Sequence, residues 1–242
     1  MIRRRVRLPP ERIGATRAGL TGEARHYLRD VLRLSPGDAV ELFDGQGAAW
    51  EAVVEPGFES LAVGARREAL AAGPSISLLF ALSKGDKGEL VVQKATELGA
   101  ARLCPWAAGR SVLKLDAGKG RERAERWRRI AEEAARQCGR ADVPLVAEPV
   151  GLAAALAAVP AGHRLVVLHG PGGLPLEALG LEGAPGVALV VGPEGGLTDG
   201  ELAACQAAGA VRGALGPRTL RAETAAIAGL AVLQAVVGDL GG

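Results

Sequence analysis

Short apolar segments alternate with helical segments from residue 76 onward. The strand-like segments are ISLLFAL (76–82), RLCPW (102–106), PLVAE (144–148), RLVVL (164–168), VALVV (187–191) and AVRGAL (210–215). The intervening and following stretches have the pattern of helices, at about 86–98, 120–138, 151–158, 199–208 and 222–237. Because parallel strands are joined by crossover helices that cover both sheet faces, this alternation predicts an α/β fold with a mostly parallel sheet.

A different pattern precedes this region. Residues 38–66 contain three short strand-like segments separated by turn sequences, which is typical of antiparallel pairing. Before them, Thr21 is the expected N-cap of a short helix that ends near Arg33. We therefore predict a small β-rich domain at residues 1–70 and an α/β domain at residues 76–242.

The first 33 residues are strongly basic, although the whole chain has a formal net charge of only +2. This stretch contains nine arginines against Glu11, Glu23 and Asp30. A local basic cluster is the electrostatic footprint of a nucleic-acid site, but a solvated surface has the same appearance in sequence. Both interpretations stay open at this point.

Several classes of protein are disfavoured. The three cysteines are widely spaced and have no partner at metal-ligand separation, so we expect neither a disulfide framework nor a metal site. The N-terminus has no apolar stretch of signal-peptide type, and no long uncharged apolar run occurs. We therefore expect a cytoplasmic protein.

Three of the strand-like segments run into loops rich in glycine and proline. These loops are His169-Gly170-Pro171-Gly172-Gly173, Gly192-Pro193-Glu194-Gly195-Gly196 and Gly216-Pro217-Arg218-Thr219-Leu220-Arg221. Ligands of open α/β sheets bind beyond the carboxyl ends of the strands, and glycine lets the backbone approach a ligand closely. The loops predict a ligand such as a nucleoside, held largely by main-chain groups.

Common catalytic motifs are missing from the sequence. No GxGxxG follows a strand, no GxxxxGK[ST] occurs, and neither GxSxG nor HExxH is found. Dinucleotide, nucleoside triphosphate and hydrolase chemistry are therefore disfavoured.

The strings LVVGPEGGLTDGE (189–201) and LGPRTLRAETAAIAGLAVLQ (215–234) resemble the cofactor motifs of the SPOUT methyltransferases. Within that class, SKGDKGELVVQKATELGA (83–100), GRSV (109–112) and RWRRIAEEAARQCGRADVP (126–144) resemble segments of the RsmE family, which methylates uridine N3 in small-subunit ribosomal RNA. The resemblance implies a trefoil-knot α/β domain preceded by a PUA-like RNA-binding barrel. It also implies a homodimer formed through the knotted domain.

The resemblance further implies that S-adenosylmethionine binds in the three loops. Its implied contacts are Leu168, His169, Gly170, Gly192, Pro193, Glu194, Gly195, Leu215, Gly216, Leu220, Arg221, Glu223, Thr224 and Ala225. Candidate contacts with 16S ribosomal RNA or the small ribosomal subunit come from the basic N-terminus and from charged residues of the resembling segments, where Gln137 and Arg140 face either RNA or a second subunit. They are Arg3, Arg4, Arg5, Lys84, Lys87, Arg110, Gln137 and Arg140.

Methylation of uridine N3 requires loss of the imide proton and stabilisation of the charge that develops on O2 and O4. Arg221 is the candidate for stabilising that charge, with Arg218 and Arg110 as alternatives. Glu223 is the candidate proton acceptor, or a carboxylate that holds Arg221 in place. Two other functions stay open: a SPOUT enzyme acting on transfer RNA or on a ribose 2'-oxygen, and a non-catalytic RNA-binding ribosome-assembly protein.

Overall fold

The computed structural model describes residues 4–67, 74–82, 86–109, 117–170 and 172–240. Within them, no group of three or more His, Cys, Asp or Glu is arranged to hold a metal ion. No helix in these ranges is both long enough and apolar enough to cross a membrane.

The chain forms two compact units. The first comprises Met1–Ala71 together with Glu132–Val143, and the second comprises Ala72–Ala131 and Pro144–Gly242. The sequence pattern contains no sign that a segment near residue 140 belongs with the N-terminal residues.

The first unit is built on a five-stranded sheet with the order β1-β3-β4-β5-β2. Its strands are β1 (Arg5–Arg7), β2 (Arg17–Gly19), β3 (Ala39–Phe43), β4 (Ala49–Val54) and β5 (Ser60–Arg67). All pairs are antiparallel except β1 with β3. The three central strands are those predicted at 38–66, whereas the two short outer strands were not predicted.

One short helix accompanies this sheet. The helix α1 (Gly22–His26) begins at the predicted N-cap, where the Thr21 hydroxyl accepts a hydrogen bond from the Ala24 amide at 3.1 Å. A turn of π-helix (Tyr27–Val31) continues it. Aliphatic side chains from the helix and the strands, among them Leu28, Leu42 and Leu61, are fully buried and form the core of the unit.

The segment at residues 132–143 is attached to the first unit by backbone hydrogen bonds. The Gly47 amide donates to the Ala141 carbonyl at 3.2 Å, and the Val143 amide donates to the Gly45 carbonyl at 3.0 Å. Both Gly45 and Gly47 have positive φ, so the turn before β4 presents backbone groups that an ordinary residue could not present without strain.

The second unit contains an eight-stranded parallel sheet. Its strands are β6 (Ser75–Ala81), β7 (Arg102–Ala107), β8 (Leu145–Val146), β9 (Val150–Gly151), β10 (Arg164–Leu168), β11 (Leu174–Pro175), β12 (Gly186–Val191) and β13 (Val211–Ala214). The order is β11-β13-β10-β12-β6-β7-β8, and β9 pairs with β7. Every residue of β12 is buried, as expected for a central strand covered on both faces.

The helices are α2 (Lys87–Glu97), α3 (Ala117–Cys138), α4 (Leu152–Ala157), α5 (Asp199–Ala207) and α6 (Ala222–Val237). Gly99, with φ of 80°, follows α2, and Thr198 caps α5 in the predicted capping box. The helix α6 packs against α2, β6 and β12. Near the end of α6, the buried Gln234 side chain donates to the Leu98 carbonyl at 2.7 Å.

Candidate functional site

The three glycine-rich loops arise from three neighbouring strands of the parallel sheet. β10 lies between β12 and β13, and its last residue, Leu168, pairs with Val191 on one side and with Gly213 on the other. The loops that follow these strands therefore begin at the same edge of the sheet. This arrangement creates the crevice in which open α/β sheets bind ligands.

The loop after β12 turns tightly. The Gly196 amide donates to the Pro193 carbonyl at 2.9 Å, and Gly196 has φ of 72°. A β-carbon placed on Gly192 would lie 3.1 Å from Cγ of the buried Leu197. A larger residue would thus be crowded at position 192 and strained by the positive φ at position 196.

The loop after β10 lies against the strand β13. The His169 amide donates to the Gly213 carbonyl at 3.2 Å. A β-carbon on Gly173 would come within 2.8 Å of backbone atoms of Gly213, so no side chain fits there. Gly216, by contrast, has φ of 91° and nothing within 4 Å of its β-carbon direction. Its backbone is therefore open to a ligand.

A lysine joins two of the predicted cofactor segments. The Lys87 ammonium, at the start of α2, lies 2.5 Å from a carboxylate oxygen of Glu194 in the second loop. The same ammonium lies 3.5 Å from Oε2 of Glu223 in the first turn of α6. The second loop and the start of α6 therefore converge on one cation.

The charges in this cluster perturb each other. The hydrogen bond from Lys87 holds the pKa of the Glu194 carboxyl below its usual value, with a smaller contribution from the positive charge of Arg221. The hydrogen bond with Glu194 likewise raises the pKa of Lys87. The Glu223 side chain is only 13% exposed, and its Oε2 atom is buried without a hydrogen-bond partner among the described residues.

Arg221 is the residue that precedes α6. Its backbone is extended, its side chain is exposed, and its carbonyl accepts the first helical hydrogen bond from Ala225 at 2.8 Å. The carboxylate of Glu223 pairs with Lys87 instead of holding Arg221. The Arg221 side chain is therefore exposed at the start of α6 and is not paired with Glu223.

The backbone just after β7 is hydrogen-bonded to α5, the helix that follows the second loop. The Gly109 amide donates to one oxygen of Glu201 at 2.7 Å, while the other oxygen accepts from the Thr198 amide at 2.8 Å. Glu201 thus completes the capping box of α5 and fixes the backbone where the GRSV segment begins.

The predicted cofactor residues all lie at the carboxyl end of β10, β12 and β13 or in the first turn of α6. The predicted RNA residues are more scattered. Arg4 is half-exposed and lies 3.3 Å from Asp38, Gln137 is exposed, and Arg140 pairs with Asp142 at 2.6 Å. Arg3, Lys84 and Arg110 lie outside the described residues.

The prediction that Arg5 contacts RNA is wrong. The Arg5 side chain is 1% exposed, and its guanidinium donates to Glu41 at 2.7 Å and to the carbonyl of Ala135 at 2.9 Å. It also lies 4.5 Å above the ring of Phe43. Arg5 fastens the end of α3 to the sheet of the first unit, and no phosphate can reach it.

Lys87 was predicted to be an RNA contact because it is a lysine near the start of the α/β domain. Its partners Glu194 and Glu223 are more than a hundred positions away in sequence, so the local pattern contains no sign of the pairing. The second and third cofactor motifs each contain a glutamate, Glu194 and Glu223. These two carboxylates were the one signal in the sequence that a cation lies nearby.

Comparison with known families agrees with this architecture. A family model described as RNA methyltransferase domain matches residues 72–234, and one described as RNA methyltransferase PUA domain matches residues 20–63. Among solved structures, a methyltransferase from Legionella pneumophila in complex with bound S-adenosylmethionine is similar over 99% of this chain and 100% of its own, with a TM-score of 0.89 and 33% identity. The parallel sheet and these matches define an RNA methyltransferase of the SPOUT class with a PUA-like N-terminal domain.

Similar individual proteins identify one family within this class. The ribosomal RNA small subunit methyltransferase E of Mycobacterium bovis is 34% identical to this chain, and the match covers 88% of this chain and 84% of the relative. The Bacillus subtilis protein of the same name is 32% identical, and the match covers 89% of this chain and 88% of the relative. The Neisseria gonorrhoeae enzyme of the same name, solved bound to S-adenosylmethionine, has a TM-score of 0.85 at 30% identity and covers 96% of this chain and 97% of its own. The chain belongs to the RsmE family.

Proposed function

We propose that this protein transfers a methyl group from S-adenosylmethionine to N3 of a uridine in the 16S ribosomal RNA of the small subunit. The names of the curated relatives and the cofactor bound in the Legionella and Neisseria structures support the reaction class. The observation that carries the proposal is the convergence of three glycine-rich loops at neighbouring strand ends, with two carboxylates beside the second and third loops.

The residues of this crevice suit the proposed cofactor. S-adenosylmethionine carries a sulfonium and an ammonium, and it supplies an activated methyl group when bound. Glu194 and Glu223 provide negative charge for these cations. Oε2 of Glu223 is buried and makes no hydrogen bond, although it lies 3.5 Å from the Lys87 ammonium, and an acceptor of this kind is one that a ligand satisfies. The proposed contacts are the fourteen positions from Leu168 to Ala225 given in the sequence analysis.

Two side chains are proposed for the transfer step. Arg221 is exposed and unclaimed by Glu223, so its planar guanidinium can donate to the uracil oxygens as the N3 proton leaves. Glu223 is the proposed proton acceptor, acting directly or through water. Because Lys87 makes its 2.5 Å hydrogen bond with Glu194 and lies farther, at 3.5 Å, from Glu223, the negative charge of Glu223 is only partly compensated.

RNA recognition is proposed to involve both parts of the chain. Residues 1–70 form the proposed RNA-binding domain, and residues 76–242 form the proposed methyltransferase domain. Arg4, Gln137 and Arg140 remain proposed contacts, together with Arg3, Lys84 and Arg110. Since phosphate contacts fix orientation without reading sequence, these residues would place the target uridine over the crevice.

We further propose that the protein is cytoplasmic and forms a homodimer through the α/β domain. The helix α6 supports the dimer, since Ala-rich and Val-rich turns of it remain partly exposed in the single chain. Sedimentation at micromolar concentration tests this, and a monomer would contradict it.

The reaction is tested by mass mapping of ribosomal RNA from a strain that lacks this protein. We expect one 3-methyluridine in 16S RNA to disappear and to return on complementation with the wild-type chain. Complementation with Gly216→Val should fail, because valine is strained at a φ of 91° in the third loop. Loss of a transfer RNA or 2'-O-methyl mark would instead assign another substrate, and no change in any mark would favour a non-catalytic role.

A further inference from the structure

Three charged side chains from distant parts of the chain meet beside the proposed cofactor crevice. Lys87 contacts Glu194 at 2.5 Å and Glu223 at 3.5 Å, and all three side chains are at least partly shielded from solvent. The cluster contains two negative charges and one positive charge, so one negative charge is left over.

The uncompensated charge is concentrated on Glu223. Lys87 makes its short hydrogen bond with Glu194, and Oε2 of Glu223 has no hydrogen-bond partner although it is buried. Glu223 is also the less exposed of the two carboxylates, at 13% against 43%. A carboxylate in this state gains most from a second cation, because burial strengthens the attraction and an unmade hydrogen bond is costly.

We propose that Lys87 is a specificity-determining residue of the cofactor site, whose ammonium competes with the positive charge of the methyl donor for Glu223. The proposal rests on the proposed function, since it concerns the ligand of the same loops. Lys87 partly neutralises Glu223 when no donor is bound, and it yields this carboxylate to the donor on binding. The strength of Lys87 in this competition sets how strongly the site prefers the donor over its product, which lacks the sulfonium charge.

Methyl transfer changes the balance of this competition. As the bond between sulfur and the methyl carbon breaks, its electron pair stays on sulfur, and the new bond forms to N3 of the uracil. The ligand thereby loses one positive charge, and the N3 proton leaves to Glu223 or to water. Once that proton has passed to solvent, Lys87 competes for the Glu223 carboxylate with a ligand that has lost its sulfonium charge, which weakens the hold on S-adenosylhomocysteine and favours its release.

Direct binding measurements on the full chain test this proposal. The dissociation constants of S-adenosylmethionine and S-adenosylhomocysteine are measured by calorimetry for the wild-type protein and for Lys87→Met. The substitution removes the Lys87 ammonium, a partly exposed competitor. It should raise the ratio of the two dissociation constants in favour of S-adenosylmethionine about three- to fivefold. Glu223→Gln should lower the preference, and Lys87→Arg should keep it close to the wild-type value.

Lys94→Met is the matched control. Lys94 lies on the same helix and forms an ion pair with Glu97 at 2.8 Å, away from the loops, so its removal should leave the preference unchanged. High salt should reduce the effect of Lys87→Met, because screening weakens exposed charge pairs. Lys87→Gln, measured in parallel with circular dichroism, replaces Lys87→Met if that variant is misfolded.

An unchanged preference in a folded Lys87 variant would overturn the proposal. Loss of RNA affinity with both ligand affinities intact would do so too, since Lys87 would then be a phosphate contact. Failure of the proposed function is distinguishable from either result, because the ribosomal RNA mapping would then show no lost 3-methyluridine, whatever the preference between the two ligands.

Discussion

At the scale of single residues, the partners of a charged side chain decide its role. Arg5 and Arg221 are both arginines beside sequence patterns typical of RNA methyltransferases. One is buried against Glu41 and two helix carbonyls, and the other is exposed beside the proposed cofactor crevice. Sequence alone could not separate them, because Glu41 and Ala135 are brought to Arg5 by tertiary folding.

Arg221→Lys tests the proposed role of Arg221 in the transfer step. A guanidinium presents two donors in fixed geometry, whereas an ammonium is a more hydrated point charge. We expect affinity for S-adenosylmethionine to be retained and the single-turnover rate to fall about a hundredfold. Rapid-quench methylation at saturating cofactor measures the rate. The control is Arg164→Lys, at an exposed position at the opposite end of β10 from the loops. A rate near that of the wild type combined with weakened cofactor binding would assign Arg221 to binding.

Arg5→Met should destabilise the first unit. The substitution removes one partner of the buried Glu41 carboxylate and the donor to the carbonyls of Ala135 and Arg136. Even though Arg67 remains on Glu41 at 2.8 Å, we expect a loss of about 3 kcal/mol. Hydrogen exchange of β3 amides measures it, and the exposed Arg12→Met should cost less than about 0.5 kcal/mol. Equal exchange in both variants would contradict the structural role of Arg5.

At the scale of elements, the sequence predicted those whose pattern is local. The helix α6 was predicted at its observed bounds, and the strands β6, β10 and β12 within a residue, because long apolar runs and capping signals are visible in sequence. The strands β1, β2, β9 and β11 were missed. They contain two or three residues each, too few to show periodicity, and they exist through pairing with strands already in place.

Glu201 offers a test of how one element supports the site. Its carboxylate completes the capping box of α5 and accepts the Gly109 amide, so Glu201→Ala leaves three donor groups without their acceptor. We expect a loss of about 1–2 kcal/mol in the free energy of unfolding, and about 1 kcal/mol for Thr198→Ala. Urea unfolding followed by circular dichroism checks both. The exposed Glu182→Ala serves as control. A Glu201 variant as stable as this control would contradict the stabilising role of the Glu201 contacts.

At the scale of the whole molecule, charge is distributed differently from what the first 33 residues indicate. The described residues of the first unit contain as many Asp and Glu as Arg. Most of the N-terminal arginines have carboxylate partners: Arg4 with Asp38, Arg7 with Glu132, Arg17 with Glu55, Arg25 with Glu59 and Arg29 with Asp30. The proposed RNA affinity of this unit would therefore come from individual exposed arginines, because the charges of its described residues balance and offer no general attraction.

The three cysteines differ in their exposure to solvent. Cys138 is exposed, whereas Cys104 and Cys205 are buried in one core cluster of the second unit. Burial raises the pKa of Cys205 to about 11 and raises that of Cys104, so few thiolates form at neutral pH. Ellman's reagent at pH 8 should label one thiol quickly in the native protein and three in urea. Fast labelling of a second thiol in the native state would contradict the buried positions.

The place of β13 in the sheet has a consequence for biosynthesis. β13 is the last strand to be translated, yet it lies between β11 and β10, which precede it in the chain. A nascent polypeptide that ends before residue 211 consequently has an open seam where this strand belongs, and it lacks the third loop altogether. Since domains fold during synthesis from the N-terminal side, the crevice cannot form until β13 and the loop that follows it have left the ribosome.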